Sequence, residues 1–134
     1  MKLNKQDLEL INIATQVLDS NMDLYENKNI LVACVARAKS GKLYKGVNIK
    51  TSHSICAEQV AIGQALACGE RELDTIVAVK YNKDNMPDVV SPCGLCRYTF
   101  DKLNMDFNVI VMDSEKKQIV KVKPSDLLPY PYHR

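Results

Sequence analysis

The chain lacks the features that would commit it to nucleic acid, membrane or fibre. Basic residues exceed acidic ones by only two among 134 residues, and no dense basic run is present. That balance leaves no electrostatic footprint for nucleic acid. Aromatic residues make up 6% and include no tryptophan, so a basic, aromatic-rich stripe that stacks bases is missing as well. No apolar run approaches the ~20 residues that a membrane span needs. The opening segment MKLNKQDLELINIATQ mixes polar and apolar residues and carries no apolar signal-peptide core. A soluble, cytoplasmic protein is therefore expected, with neither nucleic acid nor membrane as a partner. Glycine and proline number five each, far too few for a fibrous or low-complexity chain. What is present, 46% hydrophobic and 25% charged residues, suits one folded domain over residues 1–134.

Apolar periodicity outlines the elements. Over residues 4–19, Leu8, Ile11, Ile13, Ala14, Val17 and Leu18 form a stripe at helical spacing. Residues 30–38 are an almost continuous apolar run, which predicts a buried strand. A turn at 39–42 leads into a second strand, 43–50, so these two pair as a hairpin. A polar loop, 51–55, precedes a helix over 56–68 that Gly69 ends. Residues 75–81 predict a β-branched strand, 82–91 a loop, and Pro92 opens a helix over 93–103. Strands at 108–113 and 118–123 follow, then a short helical turn at 124–129 and a tail, 130–134. Strand–helix–strand connections imply parallel pairing in the middle of the sheet. The order predicts an α/β fold, a five-stranded mixed sheet covered by helices.

Five cysteines, at 34, 56, 68, 93 and 96, would stay as thiols in a reducing compartment. SPCGLCR, residues 91–97, contains a CxxC, which reads as a redox pair or a metal site. Its late position in the chain weakens the redox reading. Cys56 and Cys93 each fall at the start of a predicted helix, and Cys96 lies one turn beyond Cys93 on the same face. If the two helices pack side by side, three sulfurs converge. Helix N-termini lower thiol pKa values, and the resulting thiolates suit tetrahedral zinc. Three ligands leave one position open, as catalytic zinc requires. His53 is the alternative fourth ligand that would close it; Cys34 reads as core, and Cys68 lies too far along its helix. Glu58, alone, would merely favour the helix dipole. Beside three converging thiols it reads as a proton carrier for a metal-activated water.

Cys-Ala-Glu at 56–58 followed by Pro-Cys-Gly-Leu-Cys-Arg at 92–97 resembles the zinc signature of the cytidine deaminase superfamily. The three-cysteine form resembles the small homotetrameric cytidine deaminases and the blasticidin-S deaminases. Gly46-Val47-Asn48 looks like the family's Gly-x-Asn, and Leu127-Leu128-Pro129 looks like its C-terminal Leu-Leu-Pro. The resemblance implies a three-layer cytidine deaminase-like fold. It also implies zinc-dependent hydrolytic deamination of cytidine or deoxycytidine-like nucleosides to the uridine form, in pyrimidine salvage. Cys56, Cys93 and Cys96 would then hold Zn2+, making water nucleophilic near neutral pH. Glu58 would carry that water's proton to the ring nitrogen and on to the leaving ammonia. Ala57 would read the pyrimidine edge through its backbone, and Asn48 would bond a sugar hydroxyl. A homotetramer is implied as well.

Several positions depart from the family pattern. Lys50 stands where typical cytidine deaminases carry a ribose-binding Glu; a lysine donates and cannot accept, and would suit a carboxylate or phosphate. The loop from Asn48 to Cys56 is short, closer to the blasticidin-S type. Gln59 replaces an Arg that many members place beside the catalytic Glu, leaving Arg97 and the helix dipoles to compensate the thiolate charge. The aromatic-rich segment before the first strand is replaced by Tyr25-Glu26-Asn27-Lys28-Asn29-Ile30. Tyr132, in the tail, is a candidate aromatic for lining a site. These departures keep two alternatives in view: the same chemistry on blasticidin S or a modified cytosine nucleoside, and a non-catalytic zinc-stabilised binding domain. Glu58 counts against the second.

Overall fold

Asn4 starts the first helix by capping it. Its Oδ1 accepts from the Asp7 amide and the Asp7 carboxylate accepts from the Asn4 amide, both at 2.9 Å. This reciprocal box satisfies two otherwise unpaired donors. In the computed structural model, which describes residues 1–133, helix α1 then runs Lys5–Ser20. Of the expected tail, Arg134 lies outside the described residues.

A short 3-10 turn, Lys28–Ile30, delivers the chain to strand β1, Val32–Ala38, and β2, Leu43–Val47. Helix α2, Ala57–Ala67, leads to β3, Leu73–Tyr81, and β4, Pro87–Val90. Helix α3, Gly94–Leu103, is followed by β5, Asn108–Asp113, β6, Gln118–Val122, and the single turn α4, Pro124–Leu127. Among the described residues the strands form one mixed sheet in the order β2-β1-β3-β5-β6, with β4 pairing β3. Only β3 and β5 run parallel; β1 lies between β2 and β3 and is antiparallel to both.

Alternation along β1 and β3 separates two cores. Ala33, Val35, Val77 and Val79 face Leu10, Ala14 and Leu18 of α1. Cys34, Ala36, Ile76 and Ala78 face Ala57, Ala61 and Ala65 of α2 and Phe100 of α3. The central strands are therefore covered on both sides, which is why their sequences read as apolar runs rather than alternating ones. At the sheet's β6 end, the buried Asp7 carboxylate pairs with Lys121 Nζ at 2.8 Å, tying α1 to β6.

The sheet has six strands among the described residues, not five. The additional one, β4, lies in the stretch expected to be loop. It begins with a proline and contains only two adjacent apolar residues, so no strand period is visible in it. Tertiary pairing creates it: β5 takes the edge of β3 only over Thr75–Val77, and β4 takes the rest, Ala78–Tyr81. The first strand also starts at Val32 rather than Ile30, and the second ends at Val47 rather than Lys50.

Gly46 sets how closely α2 approaches the sheet. A Cβ there would stand 2.5 Å from the Ala57 carbonyl oxygen and 2.7 Å from the Ala61 amide nitrogen. Both are backbone atoms of the helix that carries Cys56 at its start, so neither moves without displacing it. Gly46→Ala is expected to destabilise the fold by about 2–3 kcal/mol and to weaken metal binding. Urea unfolding and metal content of the purified variant check this.

Candidate active site

Two helix starts bring the thiols together. Cys56 is the N-cap of α2 and Cys93 the N-cap of α3, with Cys96 in the first turn of α3. Their three Sγ atoms lie within 4.8 Å of one another, and Cys56 Sγ is 3.5 Å from Cys93 Sγ. Tetrahedral zinc with Zn–S bonds of about 2.3 Å requires sulfurs roughly 3.8 Å apart, so the donor set fits that ion. Gln59 holds the two helices in place: its Oε1 accepts from the Cys56 amide at 3.4 Å and its Nε2 donates to Thr99 Oγ1 of α3 at 3.5 Å. Arg97 donates to the Pro92 carbonyl at 2.8 Å and to the Leu127 carbonyl at 3.3 Å, clamping the segment that carries Cys93.

The remaining candidate ligands stand apart. Cys34 is wholly buried in β1, and Cys68 is exposed at the far end of α2. His53 lies in an exposed loop, its ring nitrogen 3.1 Å from Ser52 Oγ.

The thiols do not all shift as helix N-termini alone predict. Burial pushes Cys93 up, but amides of Cys96 and Leu95 and the neighbouring thiols outweigh it and bring Cys93 below its usual value. Burial, then the Cys93 thiol, raise Cys56. Burial, then the charge of Glu58, push Cys96 well up. Three thiolates and a carboxylate around one point repel each other, and a helix dipole of about half a charge is too small to compensate. A divalent cation is the charge that the arrangement calls for.

Glu58 is 7% exposed and lines a cleft of about 510 Å³ beside Cys56 and Cys93. Burial raises its carboxyl above the ordinary range, partly offset by a hydrogen bond from its own backbone. Ala57, at the same helix start, lines the cleft too, as do Asn48 and Lys50 from the loop after β2. The Asn48 side chain is engaged with the backbone: Oδ1 accepts from the Val32 amide at 2.8 Å and Nδ2 donates to the Ile30 carbonyl at 3.0 Å. Tyr25 ties the same loop down. Its hydroxyl donates to the Asn48 carbonyl and accepts from the Lys50 amide. Tyr132 is 68% exposed and does not line the cleft of its own chain; its carbonyl accepts from Lys102 Nζ at 2.8 Å.

A sequence profile described as "Cytidine and deoxycytidylate deaminase zinc-binding region" matches residues 4–112, which include all three converging cysteines and Glu58. The chain belongs to the cytidine and deoxycytidylate deaminase family. Its chemistry is zinc-dependent deamination of a cytidine-like substrate. Among this deaminase's relatives, a blasticidin-S deaminase of Bacillus cereus is 34% identical over 98% of this chain and 96% of its own length. A cytidine deaminase of Shewanella sediminis (strain HAW-EB3) is 36% identical over 54% of this chain, but that match spans only 23% of the relative. The crystal structure of a Burkholderia pseudomallei cytidine deaminase shares the fold, with a TM-score of 0.73 at 24% identity over 97% of this chain and 100% of that one. No helix among the described residues of the deaminase is long and apolar enough to cross a membrane.

Two cleft residues, Ser91 and Lys80, and one residue that braces the cleft's loop, Tyr25, go unassigned in a reading of the sequence. Ser91 lines the cleft and pins the start of the PCxxC segment to β5, its Oγ donating to the Met112 carbonyl at 3.2 Å and accepting from the Met112 amide at 3.3 Å. Tyr25 reaches its loop partners 23 and 25 residues away, which no local pattern encodes. Lys80 also lines the cleft, and it did leave a signal: a lysine interrupting the apolar strand TIVAVKY.

Proposed function

We propose that Cys56, Cys93 and Cys96 hold the zinc and that Glu58 moves protons during hydrolytic deamination of a cytosine nucleoside. The observation that carries this reading is the buried Glu58 carboxylate lining the cleft beside the three thiols. Bound zinc supplies the Lewis acidity that turns water into a nucleophile near neutral pH. Glu58 takes the proton that water loses, delivers it to the ring nitrogen, and then assists protonation of the departing amine. Burial raises its affinity for a proton in the metal-free chain, and a carboxylate placed there can both take a proton and return it. Ala57 orients the base through its backbone at the helix start. Asn48 keeps one N–H and one lone pair beyond its two backbone bonds for a sugar hydroxyl. Lys50 meets the sugar side from the rim, and Arg97 offsets part of the thiolate charge from the residue after Cys96.

Cytidine and deoxycytidine are the substrates of the first reading. Blasticidin S is the second, favoured by the nearly full-length similarity to a blasticidin-S deaminase. Residues 1–134 act as one domain, in the cytoplasm, within nucleoside turnover such as pyrimidine salvage. The protein forms a homotetramer in which Tyr132 of one copy reaches a neighbouring cleft; a monomer in light scattering would remove that role. The direct test is ammonia release by zinc-loaded protein from cytidine, deoxycytidine, CMP, cytosine and blasticidin S. Turnover of cytidine or deoxycytidine supports the first reading. Turnover of blasticidin S with cytidine untouched supports the second, and no release from any of the five overturns both.

A further inference from the structure

Lysine is an unexpected residue for the inner face of a central strand. Along β3, Ile76 and Ala78 face α2 and α3, and Lys80 is the next residue on that face. It is half-buried, pairs in register with Val32 of β1 and Asp88 of β4, and lines the cleft. Lys50 lines the same cleft from the loop after β2. Among the described residues, neither ammonium group takes part in an ion pair or a side-chain hydrogen bond, and no ion pair joins Lys80 to Asp88. Glu58 is the one carboxylate among the cleft's described lining residues. It lines a small internal void together with Ile76, Ala78 and Val90. Lys80 is two positions further along β3, roughly 7 Å from Ala78 at the usual strand rise.

The cleft therefore carries one carboxylate and the thiols of Cys56 and Cys93 on some of its described lining residues and two lysines on others. Lys80 is half-buried and Lys50 exposed at the rim, and two cationic side chains lining one cleft with no described partner favour an anion there. Among the described residues, Asp88 does not fill that role and no backbone carbonyl accepts from either lysine side chain. A base placed beside Glu58 leaves the rest of a nucleoside in the same cleft as the two lysines. We propose that Lys80 and Lys50 bind an anionic group, a carboxylate or a phosphate, carried on the sugar side of the substrate. This rests on the proposed deamination beside Glu58 and narrows its substrate class to acidic aminopyrimidine nucleosides.

The test uses deaminated ligands, which need no turnover. Zinc-loaded protein is titrated calorimetrically with uridine, UMP and uridine 5′-carboxylic acid. At least one charged ligand is expected to bind about tenfold or more tightly than uridine, with the ratio shrinking as salt is raised. Preference for UMP alone assigns a phosphate; preference for the carboxylic acid alone assigns a carboxylate. The pair Lys50→Gln and Lys80→Gln should bring the ratio of charged to neutral affinity close to one. Lys80→Glu, an independent variant, should invert it in favour of uridine. Equal affinity for all three ligands in the unaltered protein overturns the proposal. So does a failure of both charged ligands to bind, or a ratio that survives the double substitution. Failure of the deamination reading shows separately, as absent ammonia release from the substrate panel.

Discussion

Glu58→Gln is expected to lower kcat by between about a hundredfold and ten-thousandfold, with zinc content unchanged. The amide keeps the shape of the side chain but cannot accept and return a proton. Glu58 is well placed to show a large effect, because it is the only carboxylate among the described residues lining the cleft. Loss of fold is not the explanation to fear. The carboxylate is buried and its pKa is raised by that burial, so ionised Glu58 costs the metal-free protein stability, and glutamine removes that cost. The helix-dipole role alone is worth about 0.3–1 kcal/mol, which would appear in the melting temperature and not in kcat. The measurement is kcat on whichever substrate releases ammonia, paired with metal analysis and thermal melting. A kcat within tenfold of the unaltered enzyme would assign the proton transfers elsewhere.

The second large effect belongs to Cys96. It is wholly buried, and among the three thiols burial and the Glu58 charge hold its proton most firmly in the absence of a cation. Zinc binding must displace that proton, and in return it relieves the repulsion among four acidic groups. Losing an outer-shell partner of a metal ligand costs 10–100-fold in affinity, and losing a ligating thiol should cost at least the upper end. Cys96→Ala is expected to weaken zinc binding by roughly a hundredfold or more and to abolish ammonia release. Cys68→Ser is the matched control, since its sulfur is exposed at the opposite end of α2. It should retain zinc and activity. Competition with a zinc chelator reads both variants. Unchanged zinc affinity in Cys96→Ala would remove that residue from the ligand set.

What is readable in the sequence is local. The apolar stripe of α1, the hairpin around Gly41 and the two cysteine-headed helices each depend on residues within a few positions of one another. The convergence of three thiols follows once two helix starts are placed side by side, and the CxxC spacing fixes two of them. What is unreadable is non-local. The four residues of β4 become a strand only because β5 leaves half of β3's edge free. The resemblance implies a sugar contact for Asn48, but its two backbone bonds to residues 30 and 32 are set by the fold and leave no local signal. Thiol pKa values fail for the same reason: each helix start is seen one at a time in a sequence, while burial and crowding arise only when they meet.

The divided edge of β3 has a consequence for how this chain tolerates change. The tip of the β3–β4 hairpin, residues 82–86, is exposed except at its base and is closed by its own bonds, with the Asn82 amide donating to the Met86 carbonyl at 2.8 Å and Asn82 Oδ1 accepting from Asp84 and Met86 amides. Downstream of it, four register pairs and the two Ser91 bonds to Met112 lock the chain before Pro92. Length added or removed at the tip is absorbed there, because the position of Cys93 is set by β3 and β5 rather than by the loop. An insert at the exposed tip, residues 83–85, is therefore expected to leave zinc content and ammonia release unchanged.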